Sequence, residues 1–337
     1  MDYRSDTFTK PTPGMLQAML DAPTGDDVFG EDTTVNKLEA MMAELFGMEA
    51  ALYCPSGTMS NQIAIKVHTL PGDEVICSSL AHVYIYEGGG IAFNAGAQVR
   101  PIEGDRGMIS ASDIEAAINP DDVHKARTSL VCLENTSNRG GGCCYDWEEI
   151  LQIKSVCAAH GLKLHLDGAR LFNALLSTGQ TAAAYGATFD SISVCFNKGM
   201  GCPIGSVLMG SAAFIKEARR IRKKLGGGMR QAGYMAATAI YALENHLHRL
   251  AEDHHHAKMI AAALLEKEFT GHMLPVETNI LIFDVKGEWT PAKFRDYLAK
   301  EGIQVMAISP TQIRIVTHLD ITPEMVERTC KVIRSME

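Results

Sequence analysis

Lys198 lies in SVCFNKGMG (193–201), preceded by the apolar Val194, Cys195 and Phe196 and followed by Gly199 and Gly201. The pattern reads as a buried strand ending in a tight turn. A lysine there costs free energy unless it is paired or used. HLDGAR (165–170) ends a second apolar run on Asp167, and Gly168 permits a sharp exit. PSGTMSN (55–61) follows a third run and opens a helix. Gly57 allows close approach of backbone to a ligand, Thr58 adds a hydroxyl, and the free N–H groups of a helix start suit a phosphate. Each motif has a plainer reading, as a surface lysine, an N-cap aspartate or a helix cap. As an ordered set they supply what pyridoxal 5'-phosphate needs: an amine for its aldehyde, an acid for its pyridine nitrogen and a cradle for its phosphate.

These residues need a scaffold. Short apolar runs at 50–54, 74–78, 98–102, 129–133, 162–166, 191–196 and 205–210 read as strands, mostly separated by helical patterns. The alternation predicts a mainly parallel seven-stranded sheet covered by helices on both faces, an α/β domain. The last two runs are too close for a crossover helix, so they are expected to form an antiparallel hairpin. A helix is expected from Thr33 to Phe46, stopped by Gly47. Residues 211–268 read as helical, interrupted at Gly226–Gly228. Beyond them, strands at 277–285 and 312–319 and helices at 290–301 and 322–335 predict a small C-terminal α+β domain. The division expected is an N-terminal arm (1–14), a large domain (15–245) and a small domain (246–337). Ligands in such proteins sit at the carboxyl ends of parallel strands and at domain junctions.

Composition narrows the partners. The chain has 337 residues, 46 % apolar and 21 % charged, with a formal net charge of −9. No basic run forms a nucleic-acid footprint. No apolar run spans a bilayer, and MDYRSDTFTK contains no apolar core of a signal peptide. Nine scattered cysteines without a CxxC motif suggest reduced thiols and a cytoplasmic location. His254–His256 lie in a polar helical stretch and read as a solvated face, not a metal site. His165 alternates with leucines and reads as a satisfied core histidine, and Tyr86 as a wall residue. No metal is expected.

The sequence resembles the threonine aldolase family among the fold-type-I pyridoxal-phosphate enzymes and their β-eliminating lyase relatives. The resemblance spans nearly the whole chain and is carried by RSDT (4–7), GDDVFGED (25–32), PSGTMSNQ (55–62), AHVYIYEGGG (81–90), DDVHKARTSLVCLENTSN (121–138), HLDGAR (165–170), NKGMGCPIGS (197–206), GGGMRQAG (226–233) and IRIVTHLD (313–320). It implies a fold-type-I large domain with a smaller C-terminal domain. Lys198 corresponds to the Schiff-base lysine, Asp167 to the partner of the pyridine nitrogen, Gly57 and Thr58 to the phosphate loop, and His82 to the residue stacked on the cofactor ring. Arg170 and Arg314, assisted by Ser5, correspond to the holders of a substrate carboxylate, which suits arginine's planar fork. Arg230 corresponds to a phosphate contact supplied by a neighbouring subunit, His124 to a histidine near the substrate hydroxyl, and Glu87 to a supporting residue. The family pattern also implies a homotetramer with shared sites.

The implied reaction is cleavage of threonine, allo-threonine and related β-hydroxy-α-amino acids to glycine and an aldehyde. His82 or His124 would take the hydroxyl proton. Three positions depart from the commonest pattern: Phe29 for tyrosine, Ser137 for histidine and Asn197 for serine. The competing expectation is a β-eliminating lyase or an aminotransferase, since Lys198, Asp167 and the phosphate loop are common to all fold-type-I members.

Overall fold

A computed structural model describes residues 1–337. Its main sheet comprises β1 (Ala50–Cys54), β2 (Glu74–Ser78), β3 (Gln98–Ile102), β4 (Thr128–Glu134), β5 (Lys163–Gly168), β6 (Ser191–Cys195) and β7 (Ser206–Gly210). The spatial order is β1-β7-β6-β5-β4-β2-β3. The central pairs β2/β4, β4/β5 and β5/β6 are parallel, and β7 runs antiparallel to both β6 and β1. All seven strands fall within two residues of their expected bounds, and the expected hairpin is β6–β7.

Local chemistry explains the elements that carry the site. The helix Thr33–Phe46 starts where the Asp32 carboxylate accepts the N–H groups of Thr34 and Val35, and it stops at Gly47 in the left-handed region (φ 61°). The helix Gly57–His68 starts where Ser56 accepts the Met59 N–H. Along β5, period-two alternation sends Leu164 and Leu166 into the main hydrophobic core and His165 and Asp167 to the opposite face, against the helix Gly57–His68. That helix lies close because its contacts are small. Ser60 is hydrogen-bonded to Ser193 and Ser206, and a Cβ on residue 57 would come within 2.4 Å of Cys195 Sγ.

A second sheet contains β8 (Thr270–Met273), β9 (Ile280–Val285), β10 (Met306–Ala307) and β11 (Gln312–Val316), in the order β10-β11-β9-β8, all antiparallel. The helices Pro291–Lys300 and Pro323–Ser335 fall within one residue of expectation, and β9 and β11 lie within their expected segments, β9 starting three residues later and β11 ending three residues earlier. Strands β8 and β10 are short and were not anticipated. This layer has its own core, including Phe283, Phe294, Ile313 and Ile333, and Tyr3 of the N-terminal arm joins it. Backbone bonds from Tyr3 to Gln304 and Val316 tie the arm to this domain. The helix Leu250–Leu265 connects the layers, with Leu250 in the main core and Ala257 in the second.

The expected solvated histidine face is corrected. His254 and His256 are buried and only His255 is exposed, because this helix is covered by both domains; Asn173 of the large domain meets His254 at 3.2 Å. Burial lowers the His254 imidazole to about 4, so it packs neutral. No helix is long and apolar enough to cross a membrane.

Candidate active site

β4 and β5 end side by side, with Glu134 opposite Asp167 in register. One strand further, the chain leaves β6 through Phe196 and Asn197 into the turn that holds Lys198, closed by Gly201 N–H to Lys198 C=O at 2.8 Å. Gly201 takes φ 81° there, a conformation that favours glycine. Lys198 is half-buried, and its Nζ meets Cys195 Sγ at 3.6 Å rather than a carboxylate.

Asp167 is buried, and its two oxygens accept from the Asn61 side-chain amide (2.9 Å) and the Ala169 N–H (3.1 Å). Asn61 also donates to Glu87 Oε1 (3.0 Å), which accepts from His82 Nδ1 at the same distance. Gln62 donates to Glu87 Oε2 at 2.6 Å. One ligand atom each from His82, Glu87 and Asp167 lies within 4.8 Å of the others. An ionised carboxylate only accepts, so His82 Nδ1 carries the proton and Nε2 presents a lone pair. Burial acts to lower the His82 imidazole, but the Glu87 hydrogen bond and the charges of Asp167, Glu87 and Glu134 outweigh it and raise it above 6.5. Glu134 is raised by burial and by the Asp167 charge; its oxygens accept the backbone N–H groups of Asn138 and His82.

The arginines sit where the two domains and the arm converge. Arg170 donates from Nε and Nη2 to the two oxygens of Asp6, both at 2.7 Å. One edge of the Arg170 guanidinium is thereby taken by Asp6. Arg314 donates to Asn138 Oδ1 (3.0 Å) and the Arg4 carbonyl (3.1 Å), and its Nε is buried without a partner. Burial and the Arg170 charge lower the Arg314 guanidinium to about 10, which still leaves it cationic at neutral pH. Ser5 is buried nearby and accepts the Thr7 N–H to start the turn Asp6–Phe8.

Burial acts to raise the Asp6 carboxyl, but the charge and hydrogen bonds of Arg170, with Lys198 and Asn279, lower it to about 2. A carboxyl lowered by folding stabilises above its unfolded value of 3.8, and that contribution is lost as pH falls toward 2. The full contribution is roughly 2 kcal/mol. Replacement also strands the buried Arg170, so Asp6→Asn is expected to cost about 3 kcal/mol at neutral pH. Urea unfolding checks this. The variant should have a lower midpoint, with a flatter decline in stability between about pH 4 and pH 2; an unchanged midpoint would count against the pair.

Gly57 and Thr58 occupy the first turn of their helix, where backbone N–H groups have no acceptor within the helix. Two other expected residues lie away from this cluster. His124 is 86 % exposed at the side chain and bonds only to Asp122, so within one chain it does not join the site. Arg230 is exposed and pairs with Asp26 at 2.7 Å, with Phe29 beside it, 73 % exposed. Ser137 serves a turn, donating to the Arg106 carbonyl and accepting the Gly140 N–H.

Sequence reasoning missed Asn61, Glu134, Asp6 and Cys195. Two of them carried a signal. Glu134 ends SLVCLE just as Asp167 ends LKLHLD, and Asn61 lies one helical turn beyond Gly57, on the same face.

A sheet of this order, a strand-end lysine and acid, and arginines at a domain junction define the fold-type-I class of pyridoxal-phosphate enzymes. The sequence model of the Beta-eliminating lyase family matches residues 2–288, and the chain belongs to that family. It is 41 % identical over 336 residues to low-specificity L-threonine aldolase 1 of Arabidopsis thaliana, covering 98 % of this chain and 94 % of that one. It is 42 % identical over 325 residues to the low specificity L-threonine aldolase of Escherichia coli (strain K12), covering 96 % and 95 %. The solved Leishmania major threonine aldolase superimposes with a TM-score of 0.86 at 23 % identity, covering 99 % of this chain and 98 % of that one; the likeness bears on the fold.

Proposed function

We propose that the protein is an aldehyde-lyase that cleaves the Cα–Cβ bond of L-threonine and L-allo-threonine, giving glycine and acetaldehyde, with pyridoxal 5'-phosphate as cofactor. The pairing of Lys198, which has no carboxylate partner, with buried Asp167 at neighbouring strand ends carries the cofactor reading, and the 41–42 % identity to low-specificity L-threonine aldolases carries the choice of an aldolase over other enzymes with that cofactor. The residues fit the cofactor. Lys198 would hold it covalently as a Schiff base, Asp167 would face its ring nitrogen, the N–H groups of Gly57 and Thr58 would take its phosphate, and His82 would lie on its ring. When bound, pyridoxal phosphate accepts the electron pair released as the Cα–Cβ bond breaks.

The chain's own groups supply the rest. Arg314, with its orphaned Nε, and the free edge of Arg170 would grip the substrate carboxylate, with Ser5 alongside. Asp167 would keep a proton on the ring nitrogen. His82, held by Glu87 with Nε2 bare, would take the β-hydroxyl proton. His124 and Arg230 are exposed in one chain; in a homotetramer with shared sites they would act at a neighbour's site. Nine unpaired cysteines suit a reducing compartment such as the cytoplasm.

Steady-state kinetics on both threonine diastereomers, with glycine and aldehyde quantified, test the reading. Equimolar glycine and acetaldehyde are expected. Ammonia with a keto acid would identify elimination, and a requirement for an amino acceptor would identify transamination.

Separate truncations locate the base. His82→Ala should lower the cleavage rate on the order of 10²-fold, and His124→Ala by less than about tenfold. A larger loss in His124→Ala would move the base to a histidine reaching across from a neighbour. Because His82 must be neutral to accept a proton and its imidazole is raised, activity should rise with pH through a midpoint above 6.5. Glu87→Gln should move that midpoint down.

A further inference from the structure

Asn61, which meets Asp167, is the near end of a longer buried array. His68 Nε2 lies 2.8 Å from Ser191 Oγ, and Ser191 Oγ lies 2.8 Å from His165 Nδ1. His165 Nε2 lies 3.2 Å from Asn61 Oδ1, and Asn61 Nδ2 lies 2.9 Å from Asp167 Oδ2 and 3.0 Å from Glu87 Oε1. Ser191, His165, Asn61 and Asp167 are all buried; His68 is partly exposed and stacks on Phe214 at 4.6 Å.

The donors and acceptors close in one direction only. Asn61 faces two carboxylates, so its NH₂ must point at them and its oxygen must face His165. That oxygen only accepts, so His165 carries its proton on Nε2. His165 has no carboxylate on either ring nitrogen, and burial lowers it to about 3, so it is neutral. Its Nδ1 must then accept, and the only donor there is the Ser191 hydroxyl. Ser191 has given away its proton and so accepts from His68 Nε2. Every N–H and O–H from His68 inward therefore points toward Asp167, and each bond polarises the next.

We propose that His68, Ser191, His165 and Asn61 form a one-way hydrogen-bond array that positions and polarises Asp167, its direction set by the two carboxylates at Asn61 and completed by the Ser191 hydroxyl. These are positioning residues. The inference deepens the functional reading above and rests on the role of Asp167 there. Ser191→Ala removes the donor to His165 Nδ1 and cuts His68 off from the array. The Asn61 amide still faces two carboxylates and keeps His165 protonated on Nε2, so the loss is that of a partner for the buried Nδ1 lone pair and of the polarisation passed inward to Asp167. Ser191→Thr keeps the hydroxyl and with it the unbroken array.

Two measurements test this. The first uses the wild-type protein with no cofactor, labelled with ¹⁵N-histidine, the His165 signals being assigned by their loss in His165→Gln. A neutral ring protonated on Nε2 is expected from about pH 5 to 8. A proton on Nδ1, or an imidazolium in that range, would overturn the array whatever the variants do. The second measures the affinity for pyridoxal phosphate and the pH titration of the bound cofactor's absorbance. Ser191→Ala should bind on the order of tenfold more weakly with a displaced titration midpoint, and Ser191→Thr should restore both. Wild-type values in Ser191→Ala would overturn the proposal, as would equal losses in Ala and Thr. Should Ser191→Ala not fold, the wild-type tautomer decides. Failure of the wild-type protein to take up cofactor, with the Nε2 tautomer intact, would instead overturn the functional reading and with it the purpose of the array.

Discussion

Lys198→Ala is expected to abolish turnover, with a loss on the order of 10⁴-fold or more. The amine stands at the turn after β6 with a thiol, not an acid, as its nearest side-chain partner. A lysine so placed is available for covalent chemistry, and no other lysine shares its position beside Asp6, Cys195 and the strand ends. Stability should change little, because Lys198 forms no ion pair and its backbone turn depends on its carbonyl, which alanine retains. Loss of the bound cofactor's visible absorbance, with an unchanged unfolding midpoint and no detectable acetaldehyde, is the expected combination. Full activity in the variant would remove Lys198 from the mechanism. A large fall in stability would mean that its loss acts through folding.

Asp167→Ala is expected to cost on the order of 10² to 10⁴ in kcat, with a smaller effect on threonine KM. Asp167 makes no contact with Arg170 or Arg314, so a substrate carboxylate would still be gripped. What disappears is the anion that would hold a proton on the ring nitrogen, and with it the drive to accept electrons from the breaking bond. The deletion also leaves the buried Asn61 amide short of an acceptor, so some loss of stability should accompany it. Asp167→Asn separates the two effects. It restores bulk but brings an uncharged group to the site, and it should be as inactive as the alanine variant while unfolding closer to wild type. Activity within a few-fold of wild type in either variant would dismiss the ring-nitrogen role. The alanine substitution should also lower His82 toward its ordinary value, because the Asp167 charge is among the causes that raise it.

The sheet could be read strand by strand because its cues are local. Apolar runs such as AALYC and EVICS are bounded by glycine, proline and polar turns, and the interval between 196 and 205 is too short for anything but a hairpin. Strands β8 and β10 gave no such cue. Thr270–Met273 is TGHM, and Met306–Ala307 is a two-residue strand, so each is defined by backbone pairing with a neighbour rather than by its own side chains. His254 and His256 misled for a related reason: polarity along a helix records which residues tolerate water, not which are covered when a second domain packs against them. His124 illustrates the reverse, since its motif was recognisable but its segment leaves it in solvent in the single chain.

By itself the sequence determined the chemistry available, a strand-end lysine, a strand-end acid and a helix start fit for a phosphate, because each depends on residue type and on neighbours a few positions away. Only the tertiary structure decided how those groups are held. Asn61 reaches Asp167, Asp6 grips Arg170, and His68 connects through Ser191 to His165, all across separations of tens to more than a hundred residues. Such contacts follow from the order in which strands assemble and from which helix face lies on them. Side-chain hydrogen bonds act over about 3 Å, so partners distant in the chain exist only once the sheet has brought them together.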